Sequence, residues 1–119
     1  MQQPQSCSPL EIHRHRIDGV EVIRARGEID ISTAPLLSAA LRESVDRDSG
    51  DYVVVDLCDV SFIDSSGLSV LLNALRRLTR QGRSLSIECR ENGPAHQLLT
   101  LANLAGTFSV QTRAEGACT

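Results

Sequence analysis

Apolar residues follow two different rhythms along this chain. From Leu10 to Ile29, hydrophobic and polar positions interleave on either side of Asp18-Gly19, a dipeptide suited to the two positive-φ positions of a type I′ turn. Setting Ile17 against Val20 places Arg16 opposite Glu21 and Glu11 opposite Arg26, opposite-charge pairs that favour this register, so an antiparallel hairpin ending at Gly27 is expected. His13 and His15 fall on its first strand beside Arg24 and Val22; a metal site needs a third ligand, and the pattern offers none. The rhythm then changes. Leu37, Leu41 and Val45 recur every fourth residue and predict a helix from Thr33 to Asp46. Asp30, Ser32 and Thr33 offer capping oxygens before it, and Pro35 suits its first turn. Asp48-Ser49-Gly50-Asp51 reads as a turn.

The run Tyr52 to Cys58 is nearly continuous in β-branched residues, which predicts a central strand buried on both faces. Asp59 to Asp64 reads as a loop, and Ser66 to Gln81 as a helix with Leu68, Leu71, Leu72, Leu75 and Leu78 on one face. Arg76, Arg77 and Arg80 sit near its C-terminus, where the helix dipole favours cations, and Gly82 ends it. Leu85, Ile87 and Cys89 alternate inward along a strand from Ser84 to Cys89. Gly93-Pro94 opens a helix lined by Leu98, Leu101 and Ala105 and closed by Gly106; Phe108 and Val110 mark a short last strand. The order β-β-α-β-α-β-α-β predicts one α/β domain: a mixed sheet of four to five strands with an N-terminal hairpin and packed helices. Its crossover from Tyr52 to Cys89 is expected to be right-handed. The domain spans residues 10–113, between a disordered N-terminal tail (1–9) and a C-terminal tail (114–119).

Composition narrows the function classes. The 119 residues suit a single domain, and 41% hydrophobic with 23% charged residues is ordinary for a globular protein. No apolar run approaches the ~18 residues of a membrane span, and Met1 to Pro9 lacks the apolar region of a signal peptide, so a cytoplasmic protein is expected. A net charge of −3 and 3% aromatic residues weigh against direct nucleic-acid binding. All 12 basic residues are arginine. The four cysteines, Cys7, Cys58, Cys89 and Cys118, form no CxxC pair; Cys58 and Cys89 read as inert core thiols, and Cys7 and Cys118 as accessible ones in the tails. The chain has no P-loop and no GxGxxG, and neither a cofactor nor a metal is expected.

The chemistry concentrates in Val60-Ser61-Phe62-Ile63-Asp64-Ser65-Ser66-Gly67-Leu68, between the end of the central strand and a helix N-terminus. Ligands and partners of α/β sheets gather on that edge. Two hydroxyls stand there among unpaired backbone N–H groups, and either serine could cap the helix. A serine hydrolase would need a base and an oxyanion hole. His13, His15 and His96 have no motif relation to Ser65, and no Gly-x-Ser-x-Gly elbow occurs, so no enzyme is expected.

Asp59-Val60-Ser61-Phe62-Ile63-Asp64-Ser65-Ser66-Gly67-Leu68, together with Arg26-Gly27-Glu28-Ile29-Asp30 upstream, resembles the signature of the anti-sigma factor antagonists, a branch of the STAS domain family. The resemblance covers roughly residues 10–110. It implies a binding protein in which Ser65 is phosphorylated by the partner itself, an anti-sigma factor serine kinase with a histidine-kinase-like ATPase fold. The unphosphorylated form binds that kinase and frees the sigma factor; a serine phosphatase reverses the modification. Asp30, Asp64, Ser65, Ser66 and Gly67 are the implied partner-binding residues. In this scheme Asp64 positions the Ser65 hydroxyl or shapes the kinase contact, Ser66 caps the helix, and Gly67 admits the partner closely or merely eases the turn. Two departures stand out: Ser69 occupies a position where the family often has Gly, and the chain after the last strand is short. The alternative is a non-switching STAS scaffold in a sensory or transport assembly, against which the intact Asp64-Ser65-Ser66 argues.

Overall fold

The computed structural model describes residues 9–47, 52–104 and 106–114. Eight elements follow in the expected order: β1 (Leu10–Ile17), β2 (Val20–Ile29), α1 (Ala34–Asp46), β3 (Tyr52–Ile63), α2 (Ser65–Arg80), β4 (Ser84–Arg90), α3 (Pro94–Leu101) and β5 (Ser109–Arg113). The strands form one sheet in the order β1-β2-β3-β4-β5, with β1 antiparallel to β2 and every other pair parallel. Asp18 and Gly19 turn at φ of 52° and 81°, and the hairpin register is the one the charges favour, with Ile17 facing Val20, Arg16 facing Glu21 and Glu11 facing Arg26.

The sheet is packed hard on one face. Ile23, Val55 and Ile87 form a row across β2, β3 and β4, flanked by Ala25, Val53 and Leu85, and all are buried against Leu37 and Leu41 of α1, Leu71 and Leu78 of α2, and Leu99 of α3. The opposite face carries Arg24, Val54, Ser86 and Glu88, none of them fully buried. The run of β3 is buried on both faces over most of its length: Val54 is half-buried, but Val55, Asp56, Leu57 and Cys58 are buried in succession, Asp56 in an ion pair with Arg24 (3.3 Å).

Among the described residues two carboxylates are buried, Asp56 and, more deeply, Glu21. Glu21 is 2% exposed, and its carboxylate accepts hydrogen bonds from Arg14 (2.8 Å) and from the Ser44 hydroxyl (3.0 Å). Arg14 also reaches Glu43, so β1, β2 and α1 are tied through one guanidinium. Burial opposes ionisation of Glu21, but the hydrogen bonds from Arg14 and Ser44 outweigh it and hold its pKa below the ordinary glutamate value. Helix α1 has no basic residue in its last turn; Arg83, arriving from the α2–β4 turn, donates instead to the carbonyls of Ser44 (3.3 Å) and Val45 (3.1 Å).

The ends of β3 and α3 depart from the sequence expectation. Residues 59–63 are not a loop; they continue β3, pairing with β2 as far as Ile29↔Ile63, while the ladder to β4 stops at Asp56↔Glu88. Two register irregularities in the β2–β3 ladder, each with the extra residue in β3, accompany this, and Gly27 (φ 117°) stands at the second. A Cβ on Gly27 would stand 2.1 Å from the Pro9 carbonyl oxygen, the oxygen that accepts from the Glu28 N–H, so only glycine fits. Where β4 diverges, Arg90 Nε donates to the Cys58 carbonyl (2.8 Å). Helix α3 ends at Leu101 and turns through Asn103 at φ 59°; its buried residues are Ala95 and Leu99, while Leu101 is 84% exposed rather than lining the core. Ala105 lies outside the described residues, as do the proposed turn at 48–51, the cysteines Cys7 and Cys118, and the ends of both tails. Cys58 and Cys89 are both buried. Among the described residues, no helix is long and apolar enough to cross a membrane.

Candidate functional site

The extended β3 brings two turns together. The Asp64 N–H donates to the Ile29 carbonyl (3.2 Å), so the residue that opens α2 is bonded to the last residue of β2, immediately before Asp30. The two parts of the sequence signature, 26–30 and 59–68, thus meet at one edge of the sheet.

Asp64, rather than Ser66, is the cap of α2. It has extended backbone angles (φ −120°, ψ −168°), its Oδ1 accepts from the Ser66 N–H (2.9 Å), and its carbonyl accepts from Leu68 (3.2 Å) to close the first turn. Helix α2 therefore begins at Ser65, one residue earlier than the sequence suggested. Ser65 is exposed at the first helical position, and its hydroxyl makes no hydrogen bond among the described residues. Ser66 is half-buried, and Ser69, one turn along, is exposed.

Gly67 faces inward. A Cβ there would lie 2.7 Å from Ile29 Cγ2 and 2.8 Å from Ile63 Cγ1, both on buried side chains. The close approach it permits is that of α2 to the ends of β2 and β3. A direct contact from Gly67 to a partner does not fit this burial; its contribution is to seat the helix that carries Ser65.

Asp30 organises the neighbouring turn. Its Oδ1 accepts from the Ser32 hydroxyl (2.7 Å), the Ser32 N–H (2.9 Å) and the Thr33 N–H (3.1 Å). The Ser32 hydroxyl above all, then the Thr33 N–H, holds its pKa below the ordinary aspartate value. Thr33 closes the loop: its hydroxyl donates to the Glu28 carbonyl (2.8 Å) and accepts from the Asp30 N–H (2.9 Å). Thr33 precedes α1 without a side-chain cap, because its hydroxyl is already engaged with β2.

Sequence reasoning missed the apolar part of this edge. Ile31, beside Asp30, is 80% exposed; Phe62, two residues before Asp64, is 47% exposed; Leu36 in the first turn of α1 is exposed as well. The signal was available in Ile31, an apolar residue set between the polar Asp30 and Ser32. Large apolar residues beside an uncommitted hydroxyl suit a protein interface. His96 is occupied elsewhere: its Nδ1 accepts from the Asn92 N–H (2.8 Å) at the start of α3.

A five-stranded mixed sheet with an N-terminal hairpin, carrying an Asp-capped serine at the end of its central strand, is a STAS domain; the STAS domain family model matches residues 11–116, and the chain belongs to that family. Its relatives are anti-sigma factor antagonists. The anti-sigma F factor antagonist of Paenibacillus polymyxa is 32% identical over 95 residues, covering 80% of this chain and 79% of its own length. The crystal structure of an anti-sigma factor antagonist from Mycobacterium paratuberculosis superposes with a TM-score of 0.77 at 30% identity, over 87% of this chain and 86% of that one. The Bacillus cell fate determinant SpoIIAA in its phosphorylated form shares the fold at 18% identity, with a TM-score of 0.66 over 87% of this chain and 93% of that one.

Proposed function

We propose that this protein is an anti-sigma factor antagonist switched by phosphorylation of Ser65. Unphosphorylated, it binds an anti-sigma factor that is itself a serine kinase of the histidine-kinase-like ATPase fold, and a sigma factor is released. Phosphorylated on Ser65 by that kinase, it lets go, and a serine phosphatase resets it. The observation that carries this reading is the Ser65 hydroxyl, exposed and free of internal hydrogen bonds at the start of a helix whose cap is supplied by Asp64. The relative solved in a phosphorylated form supports it. The chain itself performs no catalysis in this scheme, and it works in the cytoplasm, where the kinase and the sigma factor act.

The physics of the switch is local. A phosphate adds about −1.5 to −2 charge and three acceptor oxygens. At the first position of α2, the unpaired N–H groups and the helix dipole tolerate that charge, so the fold survives. Asp64 is already a negative group at the same turn and opposes it. The interface changes instead: a neutral hydroxyl at the sheet edge that also carries Asp30, Ile31 and Phe62 becomes a hydrated dianion next in sequence to the Asp64 carboxylate. Burying it again without a cation costs several kcal/mol. Asp30, Asp64 and Ser66 give the partner a polar frame around Ser65, while Gly67 acts through packing.

The test is incubation with ATP and each serine kinase of that ATPase fold from the same genome, followed by phosphopeptide mapping, with Ser65→Ala in parallel. Phosphate on Ser65, absent from the variant, is expected. Phosphate on Ser69, or stable co-purification with no phosphate on any residue, contradicts the switch.

A further inference from the structure

Helices α1 and α2 enclose a second feature at the end of α2 remote from Ser65. A groove of about 310 Å³ runs between them, lined by Arg42 and Ser38 of α1 and by Asn73, Arg76, Arg77 and Arg80 of α2. Its floor is Leu41, Val45, Val70 and Ala74, and among the described residues no carboxylate lines it. The chain is acidic overall, at −3, so four guanidiniums around one groove run against its average charge.

Seven of the other eight arginines are engaged, and the eighth, Arg26 on the hairpin, is not part of the groove. Arg14, Arg16, Arg24, Arg47, Arg90 and Arg113 are in ion pairs, and Arg83 caps α1. Among the described residues, Arg42, Arg76, Arg77 and Arg80 have no ion pair or side-chain hydrogen bond. The dipole of α2 favours Arg77 and Arg80 in its last turn. It does not account for Arg42, which sits on the other helix ahead of a last turn without basic residues. Nor does it favour Arg76 and Arg80 one turn apart, a like-charge pair that mildly destabilises the helix.

We infer that this groove is an anion site that takes an oligophosphate, free or carried by a nucleotide. Planar guanidiniums match phosphate oxygens in paired hydrogen bonds, and four converging on a small concave space suit several linked phosphates. Ser38 and Asn73 add neutral donors at the rim. The α2 arginines of the groove lie about three helical turns or more from Ser65, so the site is independent of the phosphorylation switch.

Calorimetry on the full chain in magnesium-free buffer at about 50 mM salt, where screening is weak, tests this with inorganic triphosphate as the probe. One saturable site is expected. Arg42→Gln and Arg80→Gln should each weaken it about tenfold, the loss of a charge-assisted hydrogen bond, with unchanged thermal melts. Arg26→Gln, which removes an exposed unpaired arginine on the hairpin, should leave it unchanged. ATP binding as tightly as triphosphate, or more tightly, with the same response to the variants supports the site and separates recognition of the phosphates alone from recognition of the base as well. No saturable binding, equal weakening by Arg26→Gln, binding of ATP without triphosphate, or binding of a glutamate-rich peptide in place of triphosphate would overturn it.

Discussion

Gly67→Ala puts one methyl group where α2 meets the sheet. Built on the observed backbone, that carbon stands 2.7 Å from Ile29 Cγ2, 2.8 Å from Ile63 Cγ1 and 3.0 Å from Ile63 Cδ1. Ordinary carbon contacts lie near 3.5–4.0 Å, about an ångström farther. Two of the three atoms are bonded directly to the Cβ of a stiff β-branched side chain, so rotation of a flexible tip gives no relief. Overpacking of this kind costs roughly 1–3 kcal/mol. Alanine is the better helix former by about 1 kcal/mol, which offsets part of that cost. The expected net effect is a destabilisation of about 1 kcal/mol, with the start of α2 pushed outward and Ser65, two residues away, displaced with it. Urea unfolding measures the first effect, and the rate of Ser65 phosphorylation by the cognate kinase measures the second; both should fall. A variant more stable than the parent by the helix-propensity gain would refute the reasoning, because it would mean that α2 does not sit this close to Ile29 and Ile63.

Other residues give separate tests. Asp64→Ala removes the cap of α2 and should cost about 1 kcal/mol in denaturant unfolding, whereas Asp64→Asn, which keeps an accepting oxygen, should cost much less. Thr33→Val removes the hydroxyl bonded to both Glu28 and Asp30 and should destabilise by about 1–3 kcal/mol in the same assay. Glu21 and Asp30 are both held below their ordinary pKa values, so each contributes stability that is present above its unfolded pKa and lost as pH falls through its folded value. Stability should therefore decline on acidification below about pH 4, and Glu21→Gln should flatten that decline in urea titrations run across the range.

How much of this was legible in the sequence depends on whether the deciding contact is local. The hairpin register was readable because Asp18-Gly19 and the facing charges lie within a few residues of one another. Helix α2 was readable from its leucine spacing. Residues 59–63 read as a loop because their strand partner is β2, distant in sequence, and the ladder to it carries two irregularities with the extra residues in β3. Gly67 read as a surface residue for the same reason: the side chains that exclude a Cβ come from Ile29, far away in sequence, and Ile63. The choice between Asp64 and Ser66 as cap was a matter of one helix boundary, since both residue types cap well. Leu101 fitted a core stripe in pattern, but α3 is only eight residues long and meets the sheet through Ala95 and Leu99, leaving Leu101 in solvent.

The central claim is that one phosphate on Ser65 controls partner binding. Its most direct test is the dissociation constant for the cognate anti-sigma factor, measured side by side for the unphosphorylated protein and for protein carrying phosphoserine at position 65. Desolvating an unpaired dianion next in sequence to Asp64 predicts binding weaker by about a hundredfold or more, with the circular dichroism spectrum unchanged. Equal affinities for the two forms would contradict the account.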